Sequence, residues 1–440
     1  MKYLTLVFVV FLPFSLSAKE IKSWRDKTEN ANYIHRAIKQ ITDVMVYDIY
    51  SSPVAGRTYA YVCIAGYEAA VAGNSTYKTF AGQLHGLKIL PKPKTGKDYS
   101  YTIAAVQAIL SVGKTMVVSE DKIDAFYAGI MKEFKDSEIP SEVYNNSVSY
   151  GQAIAKHIID WAAQDNYKQT RTFSKYAVTN DAASWKPTPP AYFKAVEPHW
   201  NKIRTFLIDS AQQFKPSSAT SFSTEKKSEF YKEALLVRDA GVNLSAEQME
   251  IANFWDCNPF RMNVNGHVMY ASKKISPGGH WMNITRLACK KTSANVVQSL
   301  EAYACAAITI ADGFISCWDE KYRSQVVRPE TYINQYIDGR WMPLLQTPPF
   351  PEYTSGHSVI STASAVMLGK IFGQNFSYED STEVEFGLPV RQFKSFKQAA
   401  EEAAISRFYG GIHYMPAIIN GAEEGKKIGT FMTQNLKTRK

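Results

Sequence analysis

The chain is short of the features that would mark several common functions. Its five cysteines (Cys63, Cys257, Cys289, Cys305 and Cys317) show no paired metal-ligand spacing, and an odd number cannot all pair with one another. Cys305 and Cys317 lie in an apolar helical pattern and read as buried free thiols, so no function falls on them. Beyond the first twenty residues no segment reads as long and apolar enough to span a membrane. Charge runs are also scarce. The net charge of +9 comes from 50 basic against 41 acidic residues, and only "KILPKPKTGK" and the tail "LKTRK" are locally basic. Neither carries interleaved aromatics, which argues against nucleic-acid binding, whereas a mild basic excess suits a small anionic ligand. Period-two alternation and fixed-period repeats are nearly absent, which argues against a β-sandwich, a barrel or a solenoid.

What is present is an ordinary globular composition, 45% hydrophobic and 13% aromatic over 440 residues, enough for a sizeable core. "MKYLTLVFVVFLPFSLSAKE" has a Lys, an apolar run and small residues at Ser15, Ser17 and Ala18, the layout of a secretory leader cleaved near Ala18. The mature protein is therefore expected to be soluble and either secreted or periplasmic. Helical spacing dominates, as in "YIHRAIKQITDVMVYDIY", "RTYAYVCIAGYEAAVAG" and "GQAIAKHIIDWAAQ", and predicts an all-α fold of helical bundles. "DAASWKPTPPAYFKAVEPHW" cannot stay helical through Pro187, Pro189 and Pro190. The Ser-rich "QQFKPSSATSFSTE" suggests a boundary near 215 to 224. The expected organisation is a leader over 1–18, an N-terminal helical region over 19–220 and a C-terminal helical region over 221–440.

Three stretches of the second half place polar groups at helix edges. In the first, apolar spacing runs from Val296 to Trp318 behind a cap at Thr292 or Ser293. Lys321 then falls near the helix end with Trp318 on the same face. Arg328 follows just before Pro329, which forces the chain out of helix. In the second, "PEYTSGHSVIS", Ser355 is an N-cap and Gly356 allows close backbone approach. A helix start presents unpaired N–H groups to an anion, with His357 in that first turn. In the third, Ser395 caps a helix ended by Gly410 and Gly411, with Arg407 in its last turn and His413 just beyond. Singly these read as surface charge, a capped helix and a packed loop His. Together, three cations, helix-start donors and two imidazoles are what a tetrahedral or trigonal-bipyramidal oxyanion needs.

These residues are similar to the three-part signature of the vanadium-dependent haloperoxidases, and within them to the secreted bacterial iodoperoxidases. The signature is shared with the type 2 phosphatidic acid phosphatases. Lys321, Arg328 and Pro329 form its first part, Thr354, Ser355, Gly356 and His357 its second, and Ser406, Arg407 and His413 its third. "SWKPTPP", "FWDCNPF" and "SPGGHW" extend the resemblance over most of the mature chain.

The resemblance implies a vanadate cofactor held by His413 as direct metal ligand. Lys321, Arg328 and Arg407 would balance its oxygens with Ser355 and the Gly356 amide, and His357 would act as acid-base group. It further implies hydrogen peroxide bound as a peroxovanadate, polarised by Lys321 and attacked by halide, iodide first and bromide second, to give a hypohalous species. A small organic acceptor could follow, and monomer or homo-oligomer is left open. Trp318 and Phe350 would line the halide side, and Asp319 would pair with Arg407. His280 of "SPGGHW" reads as structural.

Two residues depart from the pattern: Thr354 replaces a Pro, and Ala417 stands where a carboxylate normally orients the imidazole. A backbone carbonyl, Asn420, Glu423 or Glu424 would then hold His413. The rival reading is a secreted acid phosphatase with a phosphohistidine intermediate, which the absent carboxylate disfavours. A non-catalytic oxyanion-binding protein is a third, which the presence of both histidines disfavours.

Overall fold

The computed structural model describes residues 23–440, so the leader lies outside the described residues. The first half is built from α1 (Trp24–Thr28), α2 (Ala31–Tyr47), α3 (Ser52–Val71), α4 (Tyr101–Lys114), α5 (Glu120–Lys135), α6 (Ser141–Ala162) and α7 (Tyr167–Thr170). A long crossing then leads to α8 (Glu229–Val242) and α9 (Ala246–Phe254). Next come the hairpin β1 (Met262–Asn265) and β2 (Val268–Ala271), and α10 (Pro277–Lys291). The site-bearing part comprises α11 (Val296–Ser324), α12 (Pro329–Tyr336), α13 (Gly356–Phe372), the short pair β3 (Tyr378–Asp380) and β4 (Arg391–Phe393), α14 (Phe396–Tyr409) and α15 (Met415–Asn435). The fold is thus helical, with two small antiparallel hairpins.

The helix α11 is the axis of the molecule. It packs on α3 on one side and on α13 and α15 on the other, and one apolar core runs continuously from Ile34 to Leu436. Contrary to the expectation from sequence, α11 is long and apolar enough to cross a membrane by length and composition, but that window is wholly buried within the protein. Its cap also differs: Asn295, not Thr292 or Ser293, accepts from the Gln298 amide in a capping box. Gln325 ends the helix in the left-handed region. Pro329 then opens α12 at its first position, where its missing N–H costs nothing.

The crossing between α7 and α8 is irregular through the proline cluster and the polar stretch 215 to 224. It is nevertheless anchored. The buried Asp312 carboxylate on α11 accepts from the amides of Phe206, Leu207 and Ile208 at 2.7, 2.7 and 3.0 Å.

Close approach of α13 and α15 brings two of the three motif stretches together. Gly421, Gly425 and Gly429 recur every fourth residue on one face of α15. A Cβ on Gly425 would lie 2.3 Å from the Val359 carbonyl oxygen of α13, so the helices could not sit at this distance with any larger residue there. The loop before α15, which carries His413, is thereby drawn to the start of α13.

Candidate functional site

Each cation of the signature is buried by the element that carries it. Lys321 is in the last turn of α11, Arg328 is the N-cap position of α12 and Arg407 lies in the last turn of α14. All three are essentially inaccessible, and no carboxylate lies within ion-pair distance of any of them among the described residues. Burial lowers the pKa of all three, of Lys321 to about 8 and of Arg328 to about 10. A buried charge without a counter-charge is costly, so some other anion is expected to share the site.

Hydrogen bonding fixes the orientation of these side chains and leaves particular atoms over. Arg328 donates from Nε to the Phe350 carbonyl at 2.9 Å, and from Nη1 to the Ile412 carbonyl at 2.8 Å and to His413 Nε2 at 3.1 Å. Arg407 donates from Nη1 to the Trp255 carbonyl at 2.7 Å. Arg328 Nη2, Arg407 Nε and His357 Nε2 are buried with no partner among the described residues. Unsatisfied buried polar atoms are rare in folded proteins, and the two guanidinium N–H groups fit the oxygens of a bound oxyanion. A cavity of about 30 Å³ lies there, lined by Gly356, His357, Arg407 and His413 on its polar side and by Phe314, Trp318 and Phe350 on its apolar side.

Lys321 behaves differently from the two arginines. Its ammonium donates to the carbonyls of Pro351 and Glu352, both at 3.1 Å, and to that of Thr354. Those three acceptors use all of its protons, so in this geometry it staples the loop before α13 rather than pointing a proton into the cavity. It still adds positive potential, 5.1 Å from the Phe350 ring and 5.7 Å from the Trp318 ring. Ser355 is likewise partly engaged. Its hydroxyl accepts from the Ser358 amide as the N-cap, and its own amide donates to the Ala417 carbonyl at 3.0 Å. The hydroxyl proton and the Gly356 and His357 amides of α13 remain to face an anion.

The group that orients His413 is Glu352, which the sequence reading passed over. His413 Nδ1 donates to Glu352 Oε1 at 2.8 Å, and the Tyr414 amide donates to the same oxygen at 2.9 Å. Of the expected candidates, Glu424 instead accepts from Ser316 and Thr354 hydroxyls, each at 2.8 Å. With Nδ1 carrying the proton, Nε2 holds the lone pair that accepts from Arg328 Nη1 at 3.1 Å, and it is available as ligand or nucleophile once that bond is given up. Burial, then Arg328, holds the His413 pKa well below its ordinary value, so the ring is neutral. Burial also pushes Glu352 up to about 7, opposed by Arg328 and Lys321. The only sequence signal was position: Glu352 lies three residues before the cap, in the stretch that supplies Ser355 and Gly356.

A second expectation is corrected. Asp319 does not pair with Arg407: it accepts from Asn201 at 2.8 Å and from Arg323 at 3.3 Å. Two helical residues separate it from Lys321 by roughly 200°, which turns it away from the cavity that Trp318 and Lys321 adjoin. Asp256 and Cys257 are the groups whose charge opposes the lowering of Arg407. Phe350 and Trp318 do meet, their rings 5.0 Å apart, and the Trp318 indole donates to the Val196 carbonyl at 3.2 Å. All five cysteines are buried free thiols.

Residues 301–439 match the family model described as the VCPO second helical-bundle domain. The chain is 47% identical to the crystal structure of what is described as the first bacterial vanadium-dependent iodoperoxidase, covering 93% of this chain and 98% of that one with a TM-score of 0.89. Holo and apo crystal structures of a bacterial vanadium-dependent chloroperoxidase share 16% identity. They cover 92% and 93% of this chain and 97% and 98% of those chains, with TM-scores of 0.68 and 0.67, a likeness of fold. No curated protein matches the chain.

Proposed function

This chain belongs to the vanadium-dependent haloperoxidase family, and from that premise we propose that it oxidises iodide, and bromide less readily, with hydrogen peroxide. The observation that carries this reading is a pair of partnerless buried guanidinium donors, Arg328 Nη2 and Arg407 Nε, in a site that also holds the partnerless His357 Nε2 and the His413 imidazole. Vanadate, when bound, would supply a Lewis-acid centre that activates peroxide toward halide.

His413 Nε2 would be its protein ligand, with Glu352 locking the tautomer. Arg328 Nη2, Arg407 Nε, the Ser355 hydroxyl and the Gly356 amide would hold the oxygens, and Lys321 would add positive potential from behind the loop. His357 is neutral, since burial and the nearby Arg407 hold its pKa well below the ordinary value. Its Nε2 is therefore able to take a proton from incoming peroxide and return it to the oxygen that leaves. Trp318 and Phe350 would strip water from the halide side, and product would leave as a hypohalous species available to a small organic acceptor. Export to the periplasm or medium by the leader belongs to the same proposal.

A second reading has its own support. The Glu352–His413 pair is the carboxylate–imidazole couple that a phosphohistidine mechanism needs, so Ala417 no longer counts against an acid phosphatase. One experiment separates the two: purified vanadate-free protein is assayed for triiodide formation from iodide and peroxide, with and without added vanadate, alongside a phosphate ester. Vanadate-dependent triiodide formation supports the peroxidase. Ester hydrolysis with no iodide oxidation at any vanadate concentration overturns it.

A further inference from the structure

Behind Arg407 lies a second polar cluster that the proposed reaction does not use. His280, in the first turn of α10, is fully buried and stacks on Trp255 with ring centroids 4.5 Å apart. Its Nε2 is 2.8 Å from Asp380 Oδ2, and Asp380 is held in turn by the Thr382 amide at 2.9 Å. Its Nδ1 faces Cys257 Sγ at 3.5 Å and Glu383 Oε1 at 3.1 Å. Although so near, Glu383 Oε1 makes no hydrogen bond with His280 or any other described residue, and Glu383 is 2% exposed.

We propose that Cys257, His280 and Glu383 form a three-ligand site for a divalent cation of the zinc class, open in its fourth position, with Asp380 as the carboxylate that orients the ligating imidazole. The ligand atoms lie within 4.8 Å of one another. Zinc bonds of about 2.3 Å to sulfur and about 2.0–2.2 Å to nitrogen and oxygen place tetrahedral ligands about 3.6 Å apart for S and N, and about 3.4 Å for N and O. The observed 3.5 and 3.1 Å are close to those two spacings. A thiolate, an imidazole and a carboxylate suit zinc, and a carboxylate on the far imidazole nitrogen is the usual support of a zinc-bound histidine.

The set is the wrong one for an oxyanion, because it offers acceptors and anions where vanadate would need donors. The cluster therefore stands apart from the oxyanion cavity, whether or not the proposed function holds. It is reachable, since Cys257 also lines that cavity. Coordination requires an unprotonated imidazole nitrogen and a thiolate, so binding releases protons from the ligands. A metal there would brace Trp255, whose carbonyl holds Arg407.

The test uses the whole mature protein, stripped with a chelator and kept free of vanadate. Zinc titrated against a competing indicator is expected to bind one ion per chain with release of protons at neutral pH. Cobalt in its place is expected to give the charge-transfer absorption of a cobalt–thiolate bond. Cys257→Ser should abolish that absorption and Glu383→Gln should remove tight binding. Asp380→Asn should weaken it roughly 10- to 100-fold, while Cys305→Ala, which alters a buried thiol elsewhere, should change nothing. Failure of folded wild-type protein to take up stoichiometric zinc overturns the proposal, as does a thiolate band that survives Cys257→Ser. If Cys257→Ser does not fold, the wild-type cobalt spectrum decides alone, and a spectrum without the thiolate band overturns it.

Discussion

Arg57 and Arg328 are both arginines buried in helical surroundings, and they differ in what their neighbours supply. Arg57, on α3, sits 2.6 Å from Asp165, which also accepts from the Tyr61 hydroxyl and the Tyr167 amide, both at 2.9 Å, so each partner is satisfied inside the protein. Arg328 has carbonyls and an imidazole lone pair, no carboxylate, and a terminal nitrogen left over. In the first half a buried charge is closed on itself and serves stability. In the second it is left open, and its electrostatic cost is offset only when an anion arrives. The same side chain thus marks a structural joint in one place and, under the proposed function, a binding site in the other, and the distinguishing mark is the missing ion-pair partner rather than burial.

That contrast is open to attack by mutation. Arg407→Leu removes an open charge and is expected to lower vanadate-dependent iodide oxidation by roughly 10²–10³-fold, the loss typical of one oxyanion donor, with the melting temperature unchanged or raised. A large fall in stability together with activity would mean that Arg407 is structural like Arg57. Arg57→Met is the mirror case. It strands Asp165 and is expected to cost about 3 kcal/mol in denaturant unfolding, with kcat per folded molecule unaltered.

Glu352→Gln probes the one closed pair inside the open site. Losing the fixed tautomer is expected to weaken vanadate binding roughly 10- to 100-fold, measured as the vanadate Kd of the stripped protein, and the Ser355 to His357 turn should keep its structure. An unchanged Kd would mean that another group orients His413.

The pH dependence of vanadate uptake is expected to be bounded on both sides. As pH rises through about 8, Lys321 loses its proton and with it a positive charge and a donor to the loop, so affinity falls. As pH drops through about 7, Glu352 gains a proton, no longer attracts the Nδ1–H of His413 as a carboxylate, and affinity falls again. Lys321→Met should flatten the alkaline limb only; loss of the acidic limb in that variant would contradict the assignment. The smallest effect is expected at Asp319. Asp319→Asn faces Asn201 and Arg323 away from the cavity, and its kcat/KM should stay within a few-fold of the parent.

Much of this was legible along the chain. Helical periodicity located α2, α3, α6 and α11 because each keeps an apolar face or is apolar throughout, and cap and stop residues located α13 and α14. The caps at Ser355 and Ser395 and the stop at Gly410 follow from local hydrogen-bonding chemistry that needs no tertiary context. Lys321, Arg328, His357, Arg407 and His413 were readable because each sits at a helix edge at a spacing set by local structure. Asp319 was carried over with the family resemblance, whereas the helix turns it, two residues from Lys321, toward Asn201 and Arg323. Glu352 was missed because the bond it makes spans 61 residues and exists only once Gly425 lets α15 lie against α13.

The residue order therefore carried the element types, the caps and the chemical inventory of an anion site, all of which depend on interactions within a turn or two of helix. Which carboxylate holds which imidazole was decided only by packing. Glu352 took His413, Asp380 and Glu383 closed around His280, and Arg328 and Arg407 were left with no carboxylate within ion-pair distance among the described residues. Hydrogen bonds and ion pairs act over a few ångströms, and distances that short between segments far apart in the chain are set by how the helices pack.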